Sequence, residues 1–243
     1  MTAYRIALAG NPNTGKSTLF NALTGMRQHT GNWAGKTVAR AEGIYEYGGG
    51  VYQMIDLPGT YSLFTNSVDE EVARDYILFE RPDVTVVVLD ATALERNMNL
   101  ALQVMEMTDQ VVVCINLIDE ARKLGIAVDT HKLAGKLGVP VIPISARKKE
   151  GIGELQAAIR DVAAGRVRPT PRRIQYSADI EQQIAKLEPQ IVKLLGGDYP
   201  ARWIALRLLD GDDSIWQHME TRVQQTPAQK EESAHEPTAL GLS

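Results

Sequence analysis

An eight-residue run, Gly10-Asn11-Pro12-Asn13-Thr14-Gly15-Lys16-Ser17, lies directly after an apolar stretch of strand character, Tyr4 to Ala9, and directly before a helical one, Thr18 to Thr24. A G-x-x-x-x-G-K-S pattern in that setting is a phosphate-binding loop, and it dictates a strand, a tight loop and a helix in succession. The two glycines let the backbone curl round a polyphosphate, while successive N–H groups and the N-terminus of the following helix point at the anion. Lys16 supplies positive charge, and the Ser17 hydroxyl is a magnesium ligand. Gly10, Asn11, Asn13, Thr14, Gly15, Lys16, Ser17 and Thr18 are therefore the candidate phosphate contacts. An ordinary glycine turn is the alternative, and the flanking strand and helix count against it.

The remaining apolar runs supply a sheet around that unit. Stretches 4–9, 51–55, 84–90, 111–116 and 140–144 read as strands, and amphipathic stretches 69–80, 97–108, 129–138 and 151–163 read as helices between them. Such alternation predicts an α/β domain: a mostly parallel sheet, helices on both faces, and active loops at the C-terminal strand ends. Segment 38–47, followed by Gly48-Gly49-Gly50 and Val51, reads as a hairpin that adds one antiparallel strand, giving a mixed sheet of six. Past Arg166 the pattern changes at Pro169 and Pro171. Ile180, Ile184, Leu187, Ile191 and Leu194 then recur at helical spacing as a core stripe, and Trp203, Leu206 and Leu209 suggest a second helix after Pro200. The expected organisation is a nucleotide-binding domain over 1–166, a small all-helical unit over 167–225, and a polar, aperiodic and disordered tail over 226–243.

Composition narrows the partners. A chain of 243 residues with 44% hydrophobic content can bury a core, and its formal charge of -4, with no basic cluster, argues against nucleic acid as a partner. Cys114 lies inside the apolar run 111–115, which reads as a buried core thiol in a protein of a reducing cytoplasm. His29, His131, His218 and His235 lack metal-ligand spacing, and Glu70-Glu71 and Asp210, Asp212 and Asp213 read as a helix N-terminus or solvated face. No iron site is assigned to them. The apolar runs are strand-sized, so the sequence as it stands is expected to be soluble.

Three further strand ends carry chemistry. Asp56-Leu57-Pro58-Gly59 follows the strand 51–55, as expected if Asp56 reaches magnesium through water and the Gly59 amide senses a terminal phosphate; by itself such a turn is only a strand terminator. Asn116-Leu117-Ile118-Asp119 and Ser145-Ala146-Arg147 end two more strands. A carboxylate such as Asp119 can accept both hydrogens of the guanine N1–H and N2–H2 edge, which adenine lacks, and the Ala146 N–H can donate to O6. The base expected is guanine.

With GNPNTGKS, a threonine, DLPG, N-x-x-D and S-A-R in that order over residues 10–147, the chain resembles the Ras-like small GTPase domains related to translation factors. More closely, Gly31-Asn32-Trp33-Ala34-Gly35-Lys36-Thr37-Val38, Asp56 to Ser62 and Leu94-Glu95-Arg96-Asn97 resemble the cytosolic N-terminal part of the FeoB family of bacterial ferrous iron transporters. Pro200 to Trp203 and Leu208 to Asp212 fit the same family. The resemblance implies a P-loop GTPase domain and a helical domain described as a guanine-nucleotide dissociation inhibitor region. It also implies a membrane-embedded transporter as partner and a place on the cytoplasmic face of the bacterial inner membrane. Small accessory proteins and a homo-oligomer are further partners to consider. It makes Thr37 the residue that meets magnesium and the terminal phosphate. It also assigns Asn13, with the backbone carbonyls of Gly31 and Trp33, as ligands of a potassium ion that would offset charge during phosphoryl transfer. The alternative for Asn13 is a hydrogen bond within its own loop.

Two departures bear on turnover. Leu117 stands where many guanine sites have a lysine whose stem covers the base, so modest affinity and fast exchange are expected. Thr60 stands where Ras-type enzymes carry a water-orienting glutamine, and it is too short for that reach, so hydrolysis is expected to be slow. Catalysis then falls to Asn13, Lys16, Thr37 and Gly59. Trp33, flanked by Gly31, Asn32 and Gly35, is expected on a mobile surface segment. Three readings follow: a GTP-hydrolysing switch that gates iron uptake, an RNA or ribosome-assembly GTPase, which would need a basic appendage, and a nucleotide-dependent interaction module with negligible turnover.

Overall fold

A computed structural model of the chain describes residues 2–25, 28–64, 67–197, 199–212 and residue 215. Strand β1 (Ala3–Gly10) lies inside a seven-stranded sheet, in the order β2 (Gln28–Asn32), β3 (Ala39–Tyr47), β4 (Gly50–Asp56), β1, β5 (Val84–Asp90), β6 (Val111–Asn116) and β7 (Val141–Pro143). The strands from β4 to β7 run parallel, and β2 and β3 are antiparallel. The mixed, mostly parallel sheet is therefore as expected, with one strand more than six. The extra strand, β2, pairs with β3 from Gln28 opposite Gly43 to Asn32 opposite Ala39. Residues 29–32 are exposed. Period-2 patterning records burial of one face, and an exposed edge strand held by main-chain pairing has none to record.

β5 and β6 are continuous apolar runs because helices cover both faces of the sheet. On one face α1 (Lys16–Thr24) and α6 (Ile152–Ala163) set Leu19, Phe20, Leu23, Leu155, Ile159 and Val162 against Ile6, Leu8, Met54 and Val86. Cys114 belongs to this core, and burial pushes its thiol up. The opposite face is covered by α3 (Leu94–Met107), which buries Leu100, Ala101 and Val104. Each fully buried aliphatic side chain in these layers contributes about 1.5–3 kcal/mol of transfer free energy. This layering fixes strand direction, and it brings the C-terminal ends of β1, β4, β5 and β6 (Gly10, Asp56, Asp90 and Asn116) to one edge.

The stretch expected as one helix over 69–80 divides. Helix α2 (Val68–Asp75) is capped by Ser67, whose hydroxyl accepts the Glu70 N–H at 3.2 Å, and its acidic first turn suits the helix dipole. It then widens into a π turn over Tyr76–Glu80. Short helices α4 (Ile118–Lys123) and α5 (Thr130–Leu137) complete the first unit.

That compact unit extends to Ile174, past the boundary expected at 166, and the second begins at Gln175. Residues 167–174 run back over the first unit: the Thr170 N–H donates to Gly138 O at 2.9 Å, the Arg172 N–H to Leu137 O at 2.8 Å and the Ile174 N–H to Glu106 Oε1 at 3.0 Å. In the second unit α7 (Ala178–Leu195) and α8 (Ala201–Leu209) bury Ile184, Ile191, Trp203 and Ile204. Ile180 and Leu194, read from the sequence as core, are exposed here. With 9 residues against 18, α8 covers only part of α7. Arg202 donates to both oxygens of Glu181 at 2.8 Å, and this pairing holds the carboxyl down to about 2. The expected tail over 226–243, with Asp213, His218 and His235, lies outside the described residues. Among the described residues no helix is long and apolar enough to cross a membrane, and no three His, Cys, Asp or Glu side chains cluster as a metal site.

Candidate functional site

The loop between β1 and α1 has the curl its glycines predict. Gly15 takes φ 77 at the N-cap of α1 and supplies no capping side chain, so the first-turn N–H groups are left for another acceptor. A β-carbon at Gly15 would stand 2.4 Å from Asn116 Nδ2, so a second constraint, from a residue far along the chain, also demands glycine. Gly10 is similarly confined, with Val88 O at 2.9 Å from where a β-carbon would be. Thr14 closes the loop by donating its hydroxyl to Asn11 O at 2.9 Å. Asn13 has φ 68, a left-handed conformation that asparagine tolerates better than most residues, and it is exposed, as are Ser17 and Thr18. Asn11 and Lys16 are buried.

Lys16 reaches across to β4. Its ammonium pairs with Asp56 Oδ1 and donates to Leu57 O at 2.6 Å. Burial raises the Asp56 carboxyl above its ordinary range, and Lys16 partly opposes that shift. The turn after Asp56 lies against the loop: the Thr60 N–H donates to Gly10 O at 3.3 Å, and a β-carbon on Gly59 would come 3.5 Å from Pro12. The Thr60 hydroxyl is used within its own turn, donating to Ser62 O at 2.6 Å and accepting the Ser62 N–H at 3.2 Å. Gln103 of α3, which the sequence did not single out, fixes the next residues by accepting the Leu63 N–H at 2.7 Å.

At the other end Asn116 is a brace. Its Nδ2 donates to Thr14 O at 2.9 Å, and its Oδ1 accepts the Ala146 N–H at 3.0 Å, tying three loops through one buried amide. Leu117 takes φ 61, and its side chain comes within 4.0 Å of the β-carbon position at Gly15. Asp119 is buried; a hydrogen bond from the Ser145 hydroxyl, then Lys148, hold its carboxyl below the usual range. Lys148 is another residue that sequence reasoning passed over.

Segment 28–40 differs from its expectation. It is a hairpin, with β2 and β3 joined by a turn in which the Trp33 N–H donates to Val38 O and the Trp33 carbonyl accepts the Lys36 N–H, both at 2.9 Å. Gly31 is in the ladder opposite Arg40, and Thr37 is exposed at the tip. Trp33, expected on a mobile surface segment, is half-buried: its ring meets Tyr76 edge-on at 5.4 Å and lies under the Arg40 guanidinium at 4.7 Å. Lys36 adds an ion pair to Glu71 of α2 at 2.8 Å. The structure thus brings Lys16, Asp56, Gly59 and the phosphate loop together at one end and Asn116, Leu117, Asp119, Ser145 and Ala146 at the other, while Gly31, Trp33 and Thr37 are engaged in, or exposed on, the hairpin.

Along most of its length the chain is similar to known proteins. The family model "Ferrous iron transport protein B" covers residues 4–159, and the model for the FeoB cytosolic helical domain covers residues 176–239. The Fe(2+) transporter FeoB of Methanocaldococcus jannaschii is 46% identical over 220 residues, which are 88% of this chain and 32% of that protein. The cytosolic domain of T. maritima FeoB in a GDP form superimposes with a TM-score of 0.83 at 37% identity, covering 91% of this chain and 86% of that one. The FeoB G domain of Methanococcus jannaschii gives 0.60 at 51% identity, covering 68% and 99%. The chain spans about a third or less of the curated relatives it matches. Two family models in succession along one chain, together with a Ras-like sheet that carries a phosphate loop, show that the chain belongs to the FeoB family, whose G domain is a P-loop GTPase.

Proposed function

We propose that this chain is the GTP-hydrolysing regulatory part of a ferrous iron transporter, acting at the cytoplasmic face of the inner membrane, with slow hydrolysis stimulated by potassium. The observation that carries the reading is the pairing of the two ends of the cluster through Asn116, which couples the phosphate loop to the base-reading loops. The G domain would comprise the unit up to Ile174 and the helical domain would follow it. The phosphate groups are held by the N–H groups of 13–18 and by Lys16. Asp119 accepts the guanine N1–H and N2–H2, Leu117 covers the ring, and Ala146 N–H serves O6 by sharing or leaving Asn116 Oδ1.

Hard oxygen donors suit magnesium, and the hydroxyl of the exposed Ser17 and, through water, the Asp56 carboxylate fit it, with Thr37 joining once the hairpin tip moves. The ion supplies charge neutralisation at the phosphates. For Asp56 to serve, Lys16 must exchange it for phosphate oxygens. A potassium site formed by Asn13 and the carbonyls of Gly31 and Trp33 requires a similar exchange, because the Trp33 carbonyl holds the Lys36 N–H. Nucleotide-dependent opening of the hairpin is thus the proposed switch, and its ties to Tyr76 and Glu71 carry the change to α2.

A second reading, a nucleotide-dependent interaction module without turnover, is favoured by the Thr60 hydroxyl being committed to its own turn. Single-turnover GTP hydrolysis in potassium and in sodium separates the two. The proposal expects a severalfold faster rate in potassium, lost in Asn13→Ala. Equal rates in both salts, or a potassium effect that survives Asn13→Ala, would remove the potassium site.

A further inference from the structure

The carboxylate proposed to read the base has an internal partner. Asp119 is 5% exposed, in the first turn of α4, and Lys148 Nζ stands 3.4 Å from its Oδ2. The loop that carries Lys148 is closed. The Lys148 N–H donates to Ser145 O at 3.1 Å, Lys149 reverses the chain at φ 59, and Glu150 exchanges two main-chain bonds with Ser145 at 3.0 and 3.1 Å. The Lys148 side chain is itself 52% exposed, so it can leave for water at small cost. The same loop engages the Ala146 N–H on Asn116.

From this arrangement we infer that Lys148 is an internal competitor for the guanine edge: its ammonium takes the Asp119 oxygen that guanine needs, so base binding must displace it. The inference rests on the reading of Asp119 as the guanine acceptor. As the nucleotide leaves, Lys148 reclaims the carboxylate, which limits affinity and speeds release. Lys148 is a specificity-site residue that acts through Asp119 without assisting the phosphate chemistry.

Titration of the whole chain with N-methylanthraniloyl-GDP, together with displacement kinetics, tests this. With its lysine end in water the pair is worth about 1 kcal/mol or less, so Lys148→Met should bind about two- to fivefold more tightly, with correspondingly slower dissociation. Lys148→Arg keeps the cation and should match the parent. Unchanged or weaker binding by Lys148→Met overturns the competition. Asp119→Asn tests the underlying reading separately. Its guanine affinity should collapse, and adding Lys148→Met should restore none of it. Retained affinity in Asp119→Asn defeats the base assignment itself, whereas a gain from Lys148→Met in that background shows an effect that bypasses Asp119 and defeats only the competition.

Discussion

The two ends of the cluster are built differently. Around Asn116 and Asp119 the buried Asn116 amide ties Thr14 to Ala146 and Ser145 holds Asp119, and only the exposed Lys148 on Asp119 is placed to leave outright. Around Lys16 the contacts are ones that the proposed phosphate and magnesium binding would exchange. Lys16 rests on Asp56 and Leu57 O, and Thr37 is exposed on a hairpin held by Trp33 and Lys36. A ligand shifts an equilibrium only as far as its affinity differs between two states. On the proposed assignment the base end would supply affinity in either state and the phosphate end the difference. The two carboxylates follow the same division, Asp56 raised by burial and Asp119 lowered by its hydrogen bonds.

The largest expected effect comes from breaking the fixed end. Asn116→Ala removes both braces and leaves the buried Ala146 N–H and Thr14 carbonyl unpaired, at about 1–3 kcal/mol each. GDP affinity should fall by about tenfold or more, with a lower melting temperature. Calorimetric titration and thermal denaturation measure both. A variant that loses hydrolysis while keeping affinity would break the comparison, because the brace would then serve the phosphate end.

A smaller effect separates the carboxylates by pH. A group with a raised pKa takes its proton at higher pH than usual, so Asp56 loses its charge first as pH falls, whereas Asp119 remains ionised below its ordinary value of 3.8. Magnesium-supported hydrolysis should therefore decline on acidification from neutral pH while GDP affinity persists. Single-turnover rates and GDP affinity measured across the same pH series check this. Parallel loss of both would show that the two ends titrate together.

What the sequence made legible follows the range of the forces involved. The strand, loop and helix around residues 10–17 are encoded by neighbours, and so is the run of buried valines in β5 and β6, whose continuity records burial on both faces. The expected six strands missed β2 because an exposed edge is held by main-chain bonds, which leave no side-chain pattern. Asn116 was legible as a base-recognition candidate, but its bond to Thr14 spans 102 positions and gave no local signal. Lys148 and Gln103 were missed for the same reason. Trp33 was misplaced because its small, flexible neighbours said nothing of Tyr76, which lies across the fold in the π turn.

The smallest expected effect concerns Thr60, and it sharpens the comparison most economically. Its N–H, which binds Gly10 O, belongs to the backbone and survives any substitution that keeps the turn. Its hydroxyl exchanges hydrogen bonds with Ser62 and is 5% exposed with its residue, so it has no free reach toward a water. A side chain that took part in proton transfer would contribute about 10²–10⁴-fold to the rate. Thr60→Ala should instead leave single-turnover hydrolysis within about threefold of the parent, a cost confined to a looser turn. A loss of 100-fold or more would mean that the hydroxyl abandons Ser62 when GTP binds. Thr60 would then join Lys16 and Thr37 among the groups that exchange partners, and the turn after Asp56 would belong to the moving end of the site rather than to its support.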